Sequence, residues 1–231
     1  IITVSDGIRS EFLRLVPSMV DRTVRVYNPI IDRREEPAED LKAMHPWLDQ
    51  GAPFILAVGR LSREKNFSFL IDSVATLLVQ ENLRLIILGE GDERPALEQK
   101  LRERNLEKHV SLPGFVSNVR IFMKRAKVLT LCSLFEGLPT VIVEALACGT
   151  QVVATDCVTG PKEILDGGRF GELVPEDDPV QFCEALQRAL ERPRRQDLLV
   201  KRADDFGVER SVNVYLRVLG IVGDTKESVS D

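Results

Sequence analysis

Four short segments of the chain are apolar at almost every position: FILAVG at 54–59, LRLIIL at 83–88, VLTLC at 128–132 and QVVAT at 151–155. Nothing else constrains the fold as much. A strand with one wet face alternates apolar and polar side chains, whereas a continuously apolar strand has to be covered on both faces. Helical patterns separate the four segments, so strand and helix alternate along the chain. That order predicts an α/β domain, a Rossmann-like parallel sheet flanked by helices. Two weaker strands are expected at 109–112 and 171–174.

The helices are read from spacing and punctuation. Phe67, Leu70, Ile71, Val74, Leu77 and Leu78 recur at helical spacing after Asn66, which reads as an N-cap. Residues 139–148 form a second helical stretch, closed by Gly149. Asp178 followed by Pro179 opens another that runs to about 190. Two further patterns cover 196–205 and 208–219.

Residues 1–50 have a different character. Segments 1–4 and 23–27 read as strands, and Ser5 is placed to cap a helix carrying Ile8, Phe12 and Leu15. Such a strand-helix-strand piece cannot bury its own faces, so residues 1–30 are expected to be the remnant of a preceding domain. The charged, proline-rich stretch 31–50 reads as a linker. The main domain then covers 51–205, a closing helix 206–220, and a flexible tail 221–231. Residue 1 is an isoleucine inside a strand, so the chain is expected to be a piece of a longer protein.

Composition excludes several functions. With 231 residues, 44% of them hydrophobic, the chain can fill a sizeable core. A net charge of −5 argues against nucleic-acid binding, and the basic run Arg192, Arg194, Arg195, Lys201, Arg202 reads as a solvated face. No apolar run reaches the roughly 18 residues of a membrane-spanning helix, and no secretory leader is visible. The four cysteines lack metal-ligand spacing and read as buried, reduced thiols. The two histidines, His45 and His109, are expected in polar loops without a catalytic role, and no metal site is expected.

Three loops carry chemistry. A loop that leaves a parallel strand and opens a helix presents free N–H groups and the positive end of a dipole, a natural anion site. The first is Gly59-Arg60-Leu61-Ser62-Arg63-Glu64-Lys65-Asn66. Arg60 offers a forked donor and Lys65 a point charge, a pairing suited to a diphosphate; solvated surface cations are the alternative. The second, Gly89-Glu90-Gly91-Asp92-Glu93-Arg94, has arginine where a dinucleotide fingerprint needs its third glycine, so it reads as a tight strand-to-helix turn. The third is Phe135-Glu136-Gly137-Leu138-Pro139-Thr140-Val141-Ile142-Val143-Glu144. Glu144 lies two turns in among apolar residues, where a carboxylate needs a hydrogen-bonding partner; vicinal hydroxyls would serve, and so would a neighbouring cation.

The Glu136-x7-Glu144 pair with its EGLP start, the GRLSREK loop, and TGPKEIL followed by GELVPEDDP together resemble glycosyltransferase family 4, as do TVSDGIRSEFL and VYNPIID. The similarity spans about residues 1–220. It implies a GT-B architecture, two Rossmann-like domains with the active site between them, of which this chain holds the C-terminal, donor-binding half. The implied activity is retaining transfer of a sugar from a nucleoside diphosphate sugar, UDP- or GDP-linked, to an acceptor hydroxyl in glycan, polysaccharide or glycolipid synthesis.

By position, the resemblance implies Arg60, Lys65 and Glu136 as the catalytic residues. Arg60 and Lys65 would hold the diphosphate, and Glu136 the hydroxyls of the donor sugar. Glu144 would take the ribose hydroxyls. Gly59, Gly137, Leu138, Pro139 and Thr140 would line the phosphate and sugar, and Phe115 and Val116 would meet the base. Asn66 stands where the family often has glycine.

The same resemblance implies no cofactor and no metal, the leaving diphosphate being stabilised electrostatically. It implies a glycan or lipid-linked acceptor bound by the missing N-terminal domain, and a cytoplasmic protein with peripheral contact at the inner face of the membrane. The closing helix would pack on the missing domain, leaving Phe206, Tyr215 and Leu219 exposed. A sugar-nucleotide epimerase of the same fold, or a non-catalytic nucleotide-binding module, are the alternatives. A phosphorylase would need a lysine-bound pyridoxal phosphate, which no loop suggests.

Overall fold

In a computed structural model that describes residues 1–32, 45–51 and 53–221, every apolar segment is a strand of one sheet. Its strands are β3 (Phe54–Val58), β4 (Arg84–Leu88), β5 (Val110–Gly114), β6 (Val128–Leu131), β7 (Gln151–Thr155) and β8 (Glu172–Val174). All pairings are parallel, in the order β5-β4-β3-β6-β7-β8. A separate two-stranded parallel sheet pairs β1 (Ile2–Thr3) with β2 (Val24–Arg25), joined through helix α1 (Asp6–Leu15). Ser5 caps α1 as expected, its hydroxyl accepting the Ile8 N–H at 3.1 Å.

The pleat sends successive side chains to opposite faces, and each face has its own core. Phe54, Leu56, Ile86, Leu88, Leu129 and Leu131 lie in one cluster. They are covered by α5 (Val119–Arg125), α6 (Thr140–Ala147) and α9 (Gln196–Ala203). Ile55, Ala57, Leu85, Ile87, Val128 and Val153 lie in the other. Over them pack α3 (Phe67–Gln80), α4 (Arg94–Glu103) and α8 (Pro179–Glu191). Two-sided burial explains why these strands carry no polar alternation.

The strand order decides where a ligand can enter. From β3 the chain moves outward through β4 and β5, then returns to place β6 on the other side of β3. The loops leaving the carboxyl ends of β3 and β6 therefore run in opposite directions. In open α/β sheets the crevice lies at such a switch point.

Several expectations need correcting. Asn66 precedes α3 but makes no capping bond; it adopts φ 53, ψ 37, the left-handed region that asparagine tolerates and glycine prefers. His45 is buried rather than in a polar loop. It caps the short helix α2 (Pro46–Asp49), its Nδ1 accepting the Trp47 N–H at 3.1 Å, so that Nε2 must be the protonated nitrogen facing Ser111 Oγ at 3.0 Å. Burial, then the nearby Arg84 charge, lowers its pKa. The end of the expected linker is thus part of the core; residues 33–44 lie outside the described residues, as does the expected tail from 222 onward.

Phe206 is also fully buried. Its ring packs on Tyr27 at 4.5 Å, and its carbonyl accepts the N–H groups of Ile30 and Ile31, so the 27–31 segment supplies its cover. Tyr215 is half-buried on α10 (Val208–Val218), and Leu219, which follows it, is exposed. Cys132, Cys148 and Cys157 are buried free thiols, whereas Cys183 is only half-buried.

Candidate functional site

The two loops at the switch point are fastened to each other. The Cys132 thiol donates to the Lys65 carbonyl at 3.1 Å, and the Leu134 N–H to the Glu64 carbonyl at 2.9 Å. Above these contacts Lys65 Nζ meets Glu136 Oε1 at 2.5 Å, and Ser133 Oγ donates to the same oxygen at 2.7 Å. With side-chain exposures of 23% for Lys65 and 11% for Glu136, the pair is largely covered rather than on open surface. The site's cation and its carboxylate therefore hold each other in place before any ligand arrives.

Arg60 is exposed at the carboxyl end of β3, and its guanidinium makes no hydrogen bond or ion pair among the described residues. Glu144 lies one turn beyond Thr140, the first residue of α6, and on the same helical face. This is one turn into the helix, not two. Glu144 is half-buried, and its carboxylate has no hydrogen bond or ion pair among the described residues. The neighbouring-cation alternative thus applies to Glu136, and not to Glu144 within the described chain.

The remaining candidates divide by exposure. Gly137 and Thr140 are exposed at the start of α6, whereas Leu138 and Pro139 are buried. Leu138 belongs to the core, and Pro139 has no N–H to give, so neither offers a ligand more than backbone. Phe115 is 80% exposed beyond β5 at the sheet edge, and the half-buried Val116 packs on the core. A Cβ on Gly59 would meet the stem of Lys65 at 3.4 Å.

The Gly89-x-Gly91 turn serves packing. A Cβ on Gly89 would stand 1.9 Å from the Gly59 carbonyl oxygen, and one on Gly91 2.3 Å from that of Leu61. The Leu61 N–H donates to the Glu90 carbonyl at 2.8 Å, and Arg94 clasps the Glu90 carboxylate at 2.8 and 2.9 Å. These glycines let two loops touch backbone to backbone.

Sequence reasoning gave no role to the loop after β7. There the Thr159 hydroxyl donates to the Glu136 carbonyl, and Gly160, at φ +94, leaves room for Pro139 where a Cβ would come within 2.4 Å of its Cδ. The signal was present: Gly160-Pro161 opens helix α7 (Pro161–Ile164) with Glu163 in its first turn.

Thiol chemistry is remote here. Burial raises the Cys132 thiol to about 12, and burial with the Glu136 and Glu176 charges raises Cys157 to about 11, so neither is a thiolate near neutrality. No group of three or more metal-ligating side chains occurs among the described residues, nor any helix long and apolar enough to cross a membrane. A shallow concavity lies at the amino ends of β7 and β8, lined by Gln151, Arg169, Arg192 and Leu199, at the end of the strands opposite the charged loops.

Comparison with known proteins gives a consistent picture. The family model described as "Glycosyl transferases group 1" matches residues 44–206. A similar protein is the Campylobacter jejuni N-acetylgalactosamine-N,N'-diacetylbacillosaminyl-diphospho-undecaprenol 4-alpha-N-acetylgalactosaminyltransferase, 39% identical over 138 residues, which are 60% of this chain and 37% of the relative. Another, an uncharacterized glycosyltransferase of Methanocaldococcus jannaschii, is 27% identical over 96% of this chain and 61% of its own length.

Among solved structures, Staphylococcus aureus TarM in complex with Fondaparinux, alpha-GlcNAc-glycerol and UDP superposes with a TM-score of 0.80 at 17% identity, over 94% of this chain and 43% of that one. Anabaena HepE in complex with UDP and glucose gives a TM-score of 0.79 at 21% identity, over 96% of this chain and 62% of that one. At such identities these likenesses show the fold alone. The chain spans 37% and 48% of the length of the two C. jejuni relatives it matches.

Proposed function

Because the chain belongs to the glycosyl transferases group 1 family and has the α/β architecture of GT-B glycosyltransferases, we propose that it is the donor-binding part of a retaining glycosyltransferase. It would bind a nucleoside diphosphate sugar, with transfer to an acceptor hydroxyl in glycan or glycolipid synthesis. The observation that carries this reading is the Lys65–Glu136 pair, held where the loops of β3 and β6 part.

The chemistry follows from charge. As the glycosidic bond breaks, negative charge gathers on the leaving diphosphate. Arg60, Lys65 and the amino end of α6 would offset it, an electrostatic contribution that would require no metal. Glu136 then faces the sugar while holding Lys65 in orientation, and Glu144 takes vicinal ribose hydroxyls. UDP is the nucleotide favoured, since the similar structures of TarM and HepE were each solved in complex with UDP.

The acceptor side calls for a second wall. Transfer needs a hydroxyl held about 3–3.5 Å from the reacting carbon with water excluded, and such positioning is worth roughly 7–11 kcal/mol. The described residues 1–32 supply β1, α1, a 3-10 helix at Pro17–Arg22 and β2 of such a wall. The expected result for this chain is binding of UDP or a UDP-sugar, undiminished by EDTA, without acceptor-dependent turnover. Calorimetric titration with and without EDTA tests the first part, and separate assays of released UDP and glycosylated product test the second. Loss of binding in EDTA would refute the metal-independent assignment, and acceptor-dependent product formed by this chain alone would refute the half-enzyme reading.

A further inference from the structure

Glu163 makes contacts that the donor-site chemistry does not use. Its carboxylate accepts the Asp6 N–H at 3.0 and 2.9 Å through its two oxygens, and the Gly7 N–H at 3.4 Å. Those are the first two amides of α1, which have no intrahelical partner in any α-helix. The third, that of Ile8, goes to Ser5. A residue 157 positions away in sequence thus completes the cap of α1.

The contact is braced on both sides. Arg202 on α9 donates to the backbone carbonyls of Glu163 at 2.6 Å and Ile164 at 2.9 Å, fixing the base of the side chain. Tyr27 lies beside Glu163, and burial followed by the nearby Glu163 carboxylate raises the tyrosine pKa. Gly7 meets Thr159 so closely that a Cβ would stand 2.8 Å from Thr159 Cγ2. Thr159 in turn bonds the Glu136 carbonyl, and Ile8 Cδ1 comes within 3.5 Å of where a Gly137 Cβ would lie.

We propose that Glu163 is a positioning residue that holds the first turn of α1 down on Thr159 and so sets the Glu136–Gly137 loop that faces the donor sugar. This rests on reading the crevice as a sugar-nucleotide site. Its carboxylate favours the amino end of α1 by charge as well as by hydrogen bonds. Arg60 and Glu144 lie outside this chain of contacts. Releasing α1 therefore disturbs recognition of the sugar more than that of the nucleotide, which this chain of contacts reaches through the Lys65–Glu136 pair.

The experiment compares Glu163→Ala with Glu163→Gln, which keeps an oxygen for the Asp6 N–H. Native-state amide exchange at Asp6 and Gly7 reads the contact without any ligand, because Glu163 is the acceptor of both amides among the described residues. In Glu163→Ala both are expected to exchange about tenfold faster or more, with β3 and β6 unchanged. Titration with UDP and with UDP-N-acetylgalactosamine reads the site. The sugar nucleotide is expected to weaken by roughly three- to tenfold, with UDP within about twofold, and Glu163→Gln to recover most of both effects.

Unchanged exchange at Asp6 and Gly7 in folded Glu163→Ala overturns the proposal. So does an equal loss for UDP and the UDP-sugar, which would mark a merely structural residue. If the unaltered chain binds neither ligand while exchange still responds to Glu163, the donor-site reading fails and the α1 contact stands by itself. Should Glu163→Ala not fold, Gly7→Ala pushes α1 off Thr159 from the other side and should give the same split.

Discussion

Replacing Lys65 by methionine removes its charge and keeps most of its stem. In the folded chain Glu136 would then retain Ser133 as its side-chain partner at 2.7 Å, on a carboxylate that is only 11% exposed. An open surface pair is worth about 0–1 kcal/mol, and stranding one member of a fully buried pair costs about 3–5 kcal/mol. Exposures of 11% and 23% lie between these limits, and solvent at the crevice mouth screens part of the interaction. The expected loss of stability is about 1.5–3 kcal/mol, the usual worth of a charge-assisted hydrogen bond. For a domain of this size that lowers Tm by roughly 3–12 °C.

A double-mutant cycle with Glu136→Gln isolates the pair, since the second substitution should cost little once the first is present. Unfolding monitored by circular dichroism supplies the four stabilities. UDP titration of the same four proteins asks whether Lys65 also meets the diphosphate, expected as about a 10- to 150-fold loss for Lys65→Met. Glu136→Gln alone frees the ammonium and should leave UDP affinity equal or tighter. A coupling energy near zero, with Tm unmoved by Lys65→Met, would refute the preorganised pair.

Glu144→Gln should shift Tm by no more than about 2 °C, because its carboxylate has no partner among the described residues, and weaken UDP by about 10- to 150-fold; circular dichroism melting checks the first and UDP titration the second. Gly89→Ala forces a Cβ to within 1.9 Å of the Gly59 carbonyl at φ +140 and should cost about 3 kcal/mol or more in urea unfolding, whereas Gly167→Ala, at φ +63 with open space around it, should cost about 1 kcal/mol. His45 has a folded pKa below its unfolded value of about 6.5, so acid protonates the unfolded chain first. Its contribution is fully present above about pH 6.5 and is lost as pH falls below that, and His45→Gln should flatten the slope of urea midpoints between pH 7.5 and 5.5.

The sheet was legible in the sequence because burial on both faces strips a strand of polar residues, and 54–58, 84–88, 128–131 and 151–155 show it plainly. The helix starts at Ser5 and Asp178 were legible too, since a cap is a local bond between a side chain and an amide three residues on. His45 and Phe206 were misjudged for the opposite reason. Their cover comes from Ser111, Phe122 and Tyr27, which lie far away along the chain. Asn66 looked like a cap because its neighbours have helical spacing, whereas its left-handed backbone is set by the turn that brings Lys65 under the β6 loop.

The charged candidates were visible as residue types in helix-opening loops, and Lys65, Glu136 and Glu144 could be named from the sequence. Which of them is paired could not. That depends on the β3 and β6 loops lying side by side, a consequence of strand order, and strand order leaves no mark on any single segment. The same holds for Glu163, whose partners Asp6 and Gly7 come from the other end of the chain. Local sequence determines elements and caps through interactions spanning a few residues; only tertiary packing decides which carboxylate meets which cation, because those distances are set by the fold of the whole sheet.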